Sequence, residues 1–188
     1  MMFPRTLLLC ALAMVATPAS ALGLYFEGGL HFGGDDLIQV TFDDGSSDTL
    51  QGGRLLGFAI GVTEQVSYKV QGRVSLGYKY DFIKAGNGMV SFSRMPLDIL
   101  AMYYKRRWMF GGGLTFHLSP EITVDVPSLA APPQYDTAYG LVLAFDYNTY
   151  GYYQRDWYLG GRVTLINYKN QNGSFGGNSV GVVFGYMF

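Results

Sequence analysis

The chain has 188 residues, with 13 Lys and Arg against 14 Asp and Glu and a net charge of −1. Its length fits one domain, and with no basic block it lacks the electrostatic footprint of a nucleic-acid binder. Aromatic residues make up 16% and charged residues only 14%, which excludes a disordered chain and is poor in charge for a soluble domain.

Residues 1–21 read as a secretory signal peptide. Arg5 supplies the positive start, residues 6–16 the short apolar run, and Ala19, Ser20 and Ala21 the small-residue cleavage pattern. The one cysteine, Cys10, falls inside this segment, so the expected mature domain, 22–188, has no thiol and no disulfide. Beyond Ala21 no apolar run is long enough for a transmembrane helix.

The mature domain instead alternates with a period of two residues. In the first segment Leu24, Phe26, Leu30 and Phe32 share one face, opposite Tyr25, Glu27 and His31. In the second, Leu56, Phe58, Ile60 and Val62 oppose Gly57, Ala59 and Gly61. Residues 68–81 alternate strictly, with Val70, Val74, Leu76 and Tyr78 even and Lys69, Gln71, Arg73, Ser75, Lys79 and Asp81 odd. The fourth sets Met95, Leu97, Ile99 and Tyr103 against Arg94, Asp98 and Tyr104. The fifth sets Trp108, Phe110, Leu114 and Phe116 against Gly111, Gly113, Thr115 and His117. The sixth sets Tyr139, Leu141, Leu143 and Phe145 against Gly140, Ala144 and Asp146. The seventh sets Trp157, Leu159, Val163 and Leu165 against Tyr158, Gly160, Arg162 and Thr164. The last sets Val180, Val182, Phe184, Tyr186 and Phe188 against Ser179, Gly181 and Gly185.

Eight strands with one bulky apolar face and one face of small or ionic residues predict an all-β fold. The expected form is an eight-stranded antiparallel up-and-down transmembrane β-barrel with its polar face in a narrow lumen. Aromatic residues fall at strand ends, Tyr103, Trp108, Tyr147, Trp157 and Phe188 for one girdle and Phe32, Tyr78, Tyr80, Phe116 and Tyr139 for the other. Short turns are expected near 63–65, 105–107 and 147–154 at the end that holds both termini. Longer connections are expected near 43–47, 83–88, 119–136 and 169–177 at the opposite, outer end. Pro120, Pro127, Pro132 and Pro133 fall in one such connection. Pro96 alone falls inside a strand and requires a bulge or a missing ladder bond. The first strand is expected to continue through residues 37–42 into a protruding hairpin turning at 43–47, and residues 121–126 to extend the fifth strand in the same way.

Glu27, His31, Lys69, Arg73, Arg94, Asp98, Asp146 and Arg162 are expected in the lumen, with Arg73 paired to at least one of Glu27, Asp98 and Asp146. An eight-stranded barrel has room for its own side chains and little more, so closure is the expectation and a narrow passive pore the alternative. Asp35, Asp36, Asp43, Asp44 and Asp48 crowd the first outer hairpin. They read as a solvated tip, with cation bridging of lipopolysaccharide phosphates as the alternative. His117, Ser119 and Glu121 share one period-2 face, a base, a nucleophile and an orienter in principle. The two histidines, His31 and His117, have no zinc-ligand spacing. No catalytic, cofactor or metal residue is therefore assigned.

Residues 179–188 end in Phe188, with Tyr186, Phe184 and Val182 alternating before it and Gly181 upstream. This resembles the C-terminal assembly signal of Gram-negative outer-membrane barrels, and the mature chain resembles the small OmpA/OmpX-type barrels in length and strand count. The His117–Ser119 pair is faintly similar to the His-x-Ser element of lipid A deacylases. The resemblance implies outer-membrane lipid and lipopolysaccharide as surroundings, the barrel assembly machinery as a partner through the last strand, and a monomer. The function expected is a structural or surface-interaction role through the outer hairpins, not catalysis. The alternatives are the narrow pore and an acyl hydrolase acting on lipid A through His117 and Ser119.

Overall fold

A computed structural model describes residues 22–41, 47–85, 88–125, 135–149, 156–170 and 173–188. The expected signal peptide, the hairpin tip with Asp43 and Asp44, Pro127, Pro132 and Pro133, and most of the 147–154 turn lie outside the described residues.

The strands are β1 (Gly23–Phe32), β2 (Asp36–Thr41), β3 (Ser47–Gln51), β4 (Leu55–Ser67), β5 (Val70–Ala85), β6 (Gly88–Lys105), β7 (Trp108–Asp125), β8 (Ala138–Asn148), β9 (Asp156–Asn170), β10 (Gly173–Gly176) and β11 (Ser179–Met187). Eight of them close on themselves as an antiparallel barrel in chain order. β4 to β9 pair in sequence, β9 pairs with β11, and β1 joins β11 to β4. Over the span where all eight strands pair, closure leaves no free sheet edge. The two remaining pieces are local: β10 folds back on the end of β9, and β2 and β3 form a separate two-stranded sheet.

The faces fall as alternation assigns them. Phe58, Ile60, Leu141, Leu159 and Val182 point away from the barrel and stay exposed, while Arg73, Thr115, Asp146, Tyr158 and Arg162 point inward and are buried. Outward aromatic rings gather into two belts. Trp108 lies 5.0 Å from Phe145 and Trp157 4.8 Å from Phe184 at the turn end, and Phe116 lies 5.6 Å from Tyr139 near the mouth.

Four local features depart from simple alternation. β4 runs through Ser67, so the chain reverses at Tyr68 and Lys69 rather than at 63–65, and Lys69 sits exposed in that turn instead of in the lumen. At Pro96 the β5–β6 ladder passes from Leu76 opposite Leu97 to Lys79 opposite Arg94 with no intervening pair, because proline has no N–H to give. Beside it, the two residues Ser119 and Pro120 of β7 lie opposite the single Arg94 of β6. This is a β-bulge, with Ser119 at φ 46°. Finally, β1 stops at Phe32, because Gly33 and Gly34 take φ of 112° and 90°, values that favour glycine. The hairpin after it is therefore not a continuation of β1. It packs Leu50, fully buried, into the mouth of the barrel. The wall that does extend beyond the barrel is β5–β6–β7: β6 and β7 have 18 residues each, roughly twice the 9–11 that a bilayer requires.

Candidate functional site

The lumen is layered. In the turn half, Arg73 donates from Nη1 to Asp146 Oδ2 at 2.7 Å and from Nε to Gln71 Oε1 at 3.1 Å. Its other nitrogen reaches the sulfurs of Met109 and Met187, and its guanidinium lies 5.5 and 5.4 Å from the Tyr25 and Tyr158 rings. Asp146 also accepts from Arg162 Nη1, and Arg162 Nη2 continues to Glu27. The Tyr158 hydroxyl donates to the same Glu27 oxygen at 2.9 Å. Arg73 therefore pairs with one of the three expected acids, and the pair is part of a chain, Arg73–Asp146–Arg162–Glu27, in which two cations alternate with two anions. Inward glycines make room for it. A Cβ on Gly160 would run into Asp146 Oδ1, and one on Gly185 into the Tyr158 ring. Desolvated charges are tolerated when every one has a partner at hydrogen-bond distance.

Above this network lies a cavity of about 30 Å³ lined by His31, Lys79, Asp98 and Arg162 among others. His31 Nδ1 and Asp98 Oδ1 have no protein partner, and the space suffices for water. Lys79 and Asp81 share the ionic face of β5 with Arg73 and are buried with it.

In the mouth half the filling is mostly apolar. Phe92, Tyr168, Leu50, Ile83, Ile122 and Ile166 are buried together, with Phe175 and Tyr135 packed against them. The Phe92 ring meets Tyr168 edge-on at 5.5 Å, and Tyr168 stacks on Phe175 at 4.9 Å. Arg94, also buried, holds its guanidinium 4.6 Å from the Phe92 ring. The hairpin closes over this cluster. The Gly52 N–H donates to Asp35 O at 3.0 Å, Gly53 to Gly33 O at 3.1 Å and Asp35 to Gly176 O at 2.7 Å.

The candidate acyl-transfer cluster is taken apart by the bulge. His117 points inward, buried, with its Nδ1 hydrogen-bonded to the Tyr168 hydroxyl. Ser119 and Glu121 lie on the outside and are exposed, since the extra residue reverses the face of everything after it. The three residues thus do not share a face. The outer aspartates are engaged locally. Asp35 Oδ2 accepts from Gly176 N, Asp36 Oδ1 from Gln51 Nε2, and Asp48 Oδ1 from Thr49 N. Among the described residues no group of three or more His, Cys, Asp or Glu is placed to hold a metal ion.

Alternation is enough to assign the lumen charges other than Lys69, but not the mouth cluster. Its signal is the reversal after residue 120, where Ile122 and Val124 become the apolar positions of β7, and the run of β9 past Leu165 to Ile166 and Tyr168. Compared with known proteins, the chain matches no family model and no curated protein.

Proposed function

We propose that the barrel spans the outer membrane of a Gram-negative bacterium, reached by export and cleavage near Ala21. It stands there as a closed wall whose role is structural or interactive through its mouth. The observation that carries this reading is the inversion of polarity. The outward face is a continuous apolar band between two aromatic belts, and the buried interior holds Arg73, Arg94, Asp146 and Arg162. A water-soluble barrel would hide the first and display the second. Lipid and lipopolysaccharide suit the band. The two differently filled lumen layers favour a closed wall over a passive pore, and the separation of His117 from Ser119 favours it over a lipid A hydrolase.

Cysteine labelling tests the membrane reading on neighbouring positions of β5. A hydrophobic maleimide applied to membranes should label Leu76→Cys and spare Ser75→Cys, whose side chain is buried in the lumen. Labelling of Ser75→Cys alone would overturn it, since a one-residue slip exchanges the faces. Recognition by the assembly machinery through β11 is tested by removing Phe188, whose N–H closes on Leu24 O at 2.8 Å. The shortened chain should accumulate unassembled in the periplasm.

A further inference from the structure

Charge is distributed unevenly between the two ends. Around the mouth, exposed Asp35, Asp36, Glu121, Asp125 and Asp136 predominate. At the turn end, Lys69, Lys105, Arg106 and Arg107 are all exposed. The described acidic residues near them are Glu64 and the buried Asp156. The four cations come from two turns that the fold makes neighbours, because β5 and β6 pair and the Tyr104 N–H donates to Lys69 O at 2.8 Å. Arg107 leans the other way, donating to the Tyr147 hydroxyl at 3.3 Å.

Between these turns runs an open groove of about 520 Å³ lined by Tyr68, Lys69, Tyr103, Lys105, Arg106 and Phe110 among others. Its rim, at the turns, is cationic. Its wall is aromatic, with Tyr68 77% exposed and Tyr103 and Phe110 in contact at 5.7 Å. That wall continues into the Trp108–Phe145 stack of the turn-end belt. A rim of ammonium and guanidinium groups over an outward aromatic wall matches one molecule in both halves, an anion with an attached hydrocarbon chain.

We infer that this groove binds the phosphate headgroup of an anionic glycerophospholipid in the leaflet at the turn end, with Lys69, Lys105 and Arg106 on the phosphate and Tyr68, Tyr103 and Phe110 along the first carbons of the acyl chain. The inference rests on the proposed membrane location. It goes beyond that location by giving this end a lipid preference, where lipid would otherwise be only the solvent. Arg107, held by Tyr147, adds charge to the field without lining the groove.

Native mass spectrometry of the full barrel in uncharged detergent, titrated with phosphatidylglycerol or phosphatidylcholine, tests the assignment. The wild type should retain phosphatidylglycerol preferentially. Lys69→Gln with Lys105→Gln should weaken that retention about thirtyfold, the loss expected for two lysines near a lipid surface. Lys84→Gln with Lys169→Gln, the same charge change at the mouth, should leave it unchanged. All three proteins should keep the heat-modifiable migration of a folded barrel, so that a loss is read as binding. Equal retention of the two lipids by the wild type, or equal loss in both double variants, would overturn the inference while leaving the membrane reading intact. Displacement of the lipid by millimolar inorganic phosphate would overturn it in favour of a free-phosphate site. A chain that does not enter micelles or bilayers at all fails at the earlier step, the membrane reading itself.

Discussion

In the turn half of the barrel, Arg73, Asp146, Arg162 and Glu27 fill the lumen with alternating charge. In the mouth half, Phe92, Tyr168 and Leu50 fill a lumen bounded by the same barrel with apolar surface. The charged filling is directional. Each member needs a partner at one distance, and glycines opposite Asp146 and Tyr158 are part of its geometry. The apolar filling is defined by shape and area, and part of it, Leu50, comes from a hairpin outside the barrel wall. The first kind of packing fails when one member is lost; the second loses stability in proportion to what is removed.

The comparison is most directly broken at Asp146. Asp146→Ala leaves Arg73 without a carboxylate and Arg162 with Glu27 alone, and breaking a buried pair costs about 3–5 kcal/mol, so a loss in that range is expected in urea unfolding from micelles. A loss below about 1 kcal/mol, less than a broken buried pair costs, would show that water already reaches Arg73 and Arg162 and that the turn half is not dry. Phe92→Ala removes the centre of the aromatic cluster and should cost about 3 kcal/mol, with no ion conductance in planar bilayers because the charged layer below remains. Conductance from this single substitution would mean that the mouth alone closes the barrel. Leu50→Ala should cost about 2 kcal/mol, felt locally. Hydrogen exchange should rise over β2 and β3, with the barrel strands unchanged. Lys84→Gln, exposed on the outer wall, should change stability by no more than about 0.5 kcal/mol and serves as the baseline for the other three.

These two halves are not equally legible in the sequence. The charged layer of the turn half obeys one parity along each strand, and the one described shift there, between Gln65 and Ser67, lies at the turn beyond it. Once Val74, Leu76 and Tyr78 are placed outside, Arg73 and Ser75 are inside, and the same count puts Asp146 and Arg162 beside them. The mouth half depends on irregularities that alternation does not encode. A proline at 120 reads equally well as the end of a strand or as one residue of a bulge; the alternation over 121–126 implies that the strand resumes, as it does to Asp125, but only pairing with β6 shows that it resumes with its faces exchanged. Gly33 and Gly34 read as strand glycines until their positive φ values turn the chain. Lys69 escapes its expected place in the lumen for a simpler reason. It keeps the odd parity of Gln71 and Arg73, but parity has no meaning in a turn, where no ladder fixes the side chain. His117 points inward as its own count requires, and its companions are lost to the bulge two residues later.

The mooring of the β2–β3 hairpin has a consequence for change over time. Its attachments at Gly33, Gln51, Gly52, Gly53 and Gly176 are made by peptide groups, with Asp35 and Asp81 the side chains among their described partners. Peptide groups are the same whatever residues carry them. The outward positions of the hairpin, Gln39 and Ser47, can therefore be exchanged without disturbing its seat on the barrel. Leu50, pointing the other way, cannot be exchanged so freely. In the proposed outer-membrane setting, under pressure from anything that recognises the cell surface, such a cap is free to diversify its exposed letters while its fold, and the barrel beneath it, stays constant.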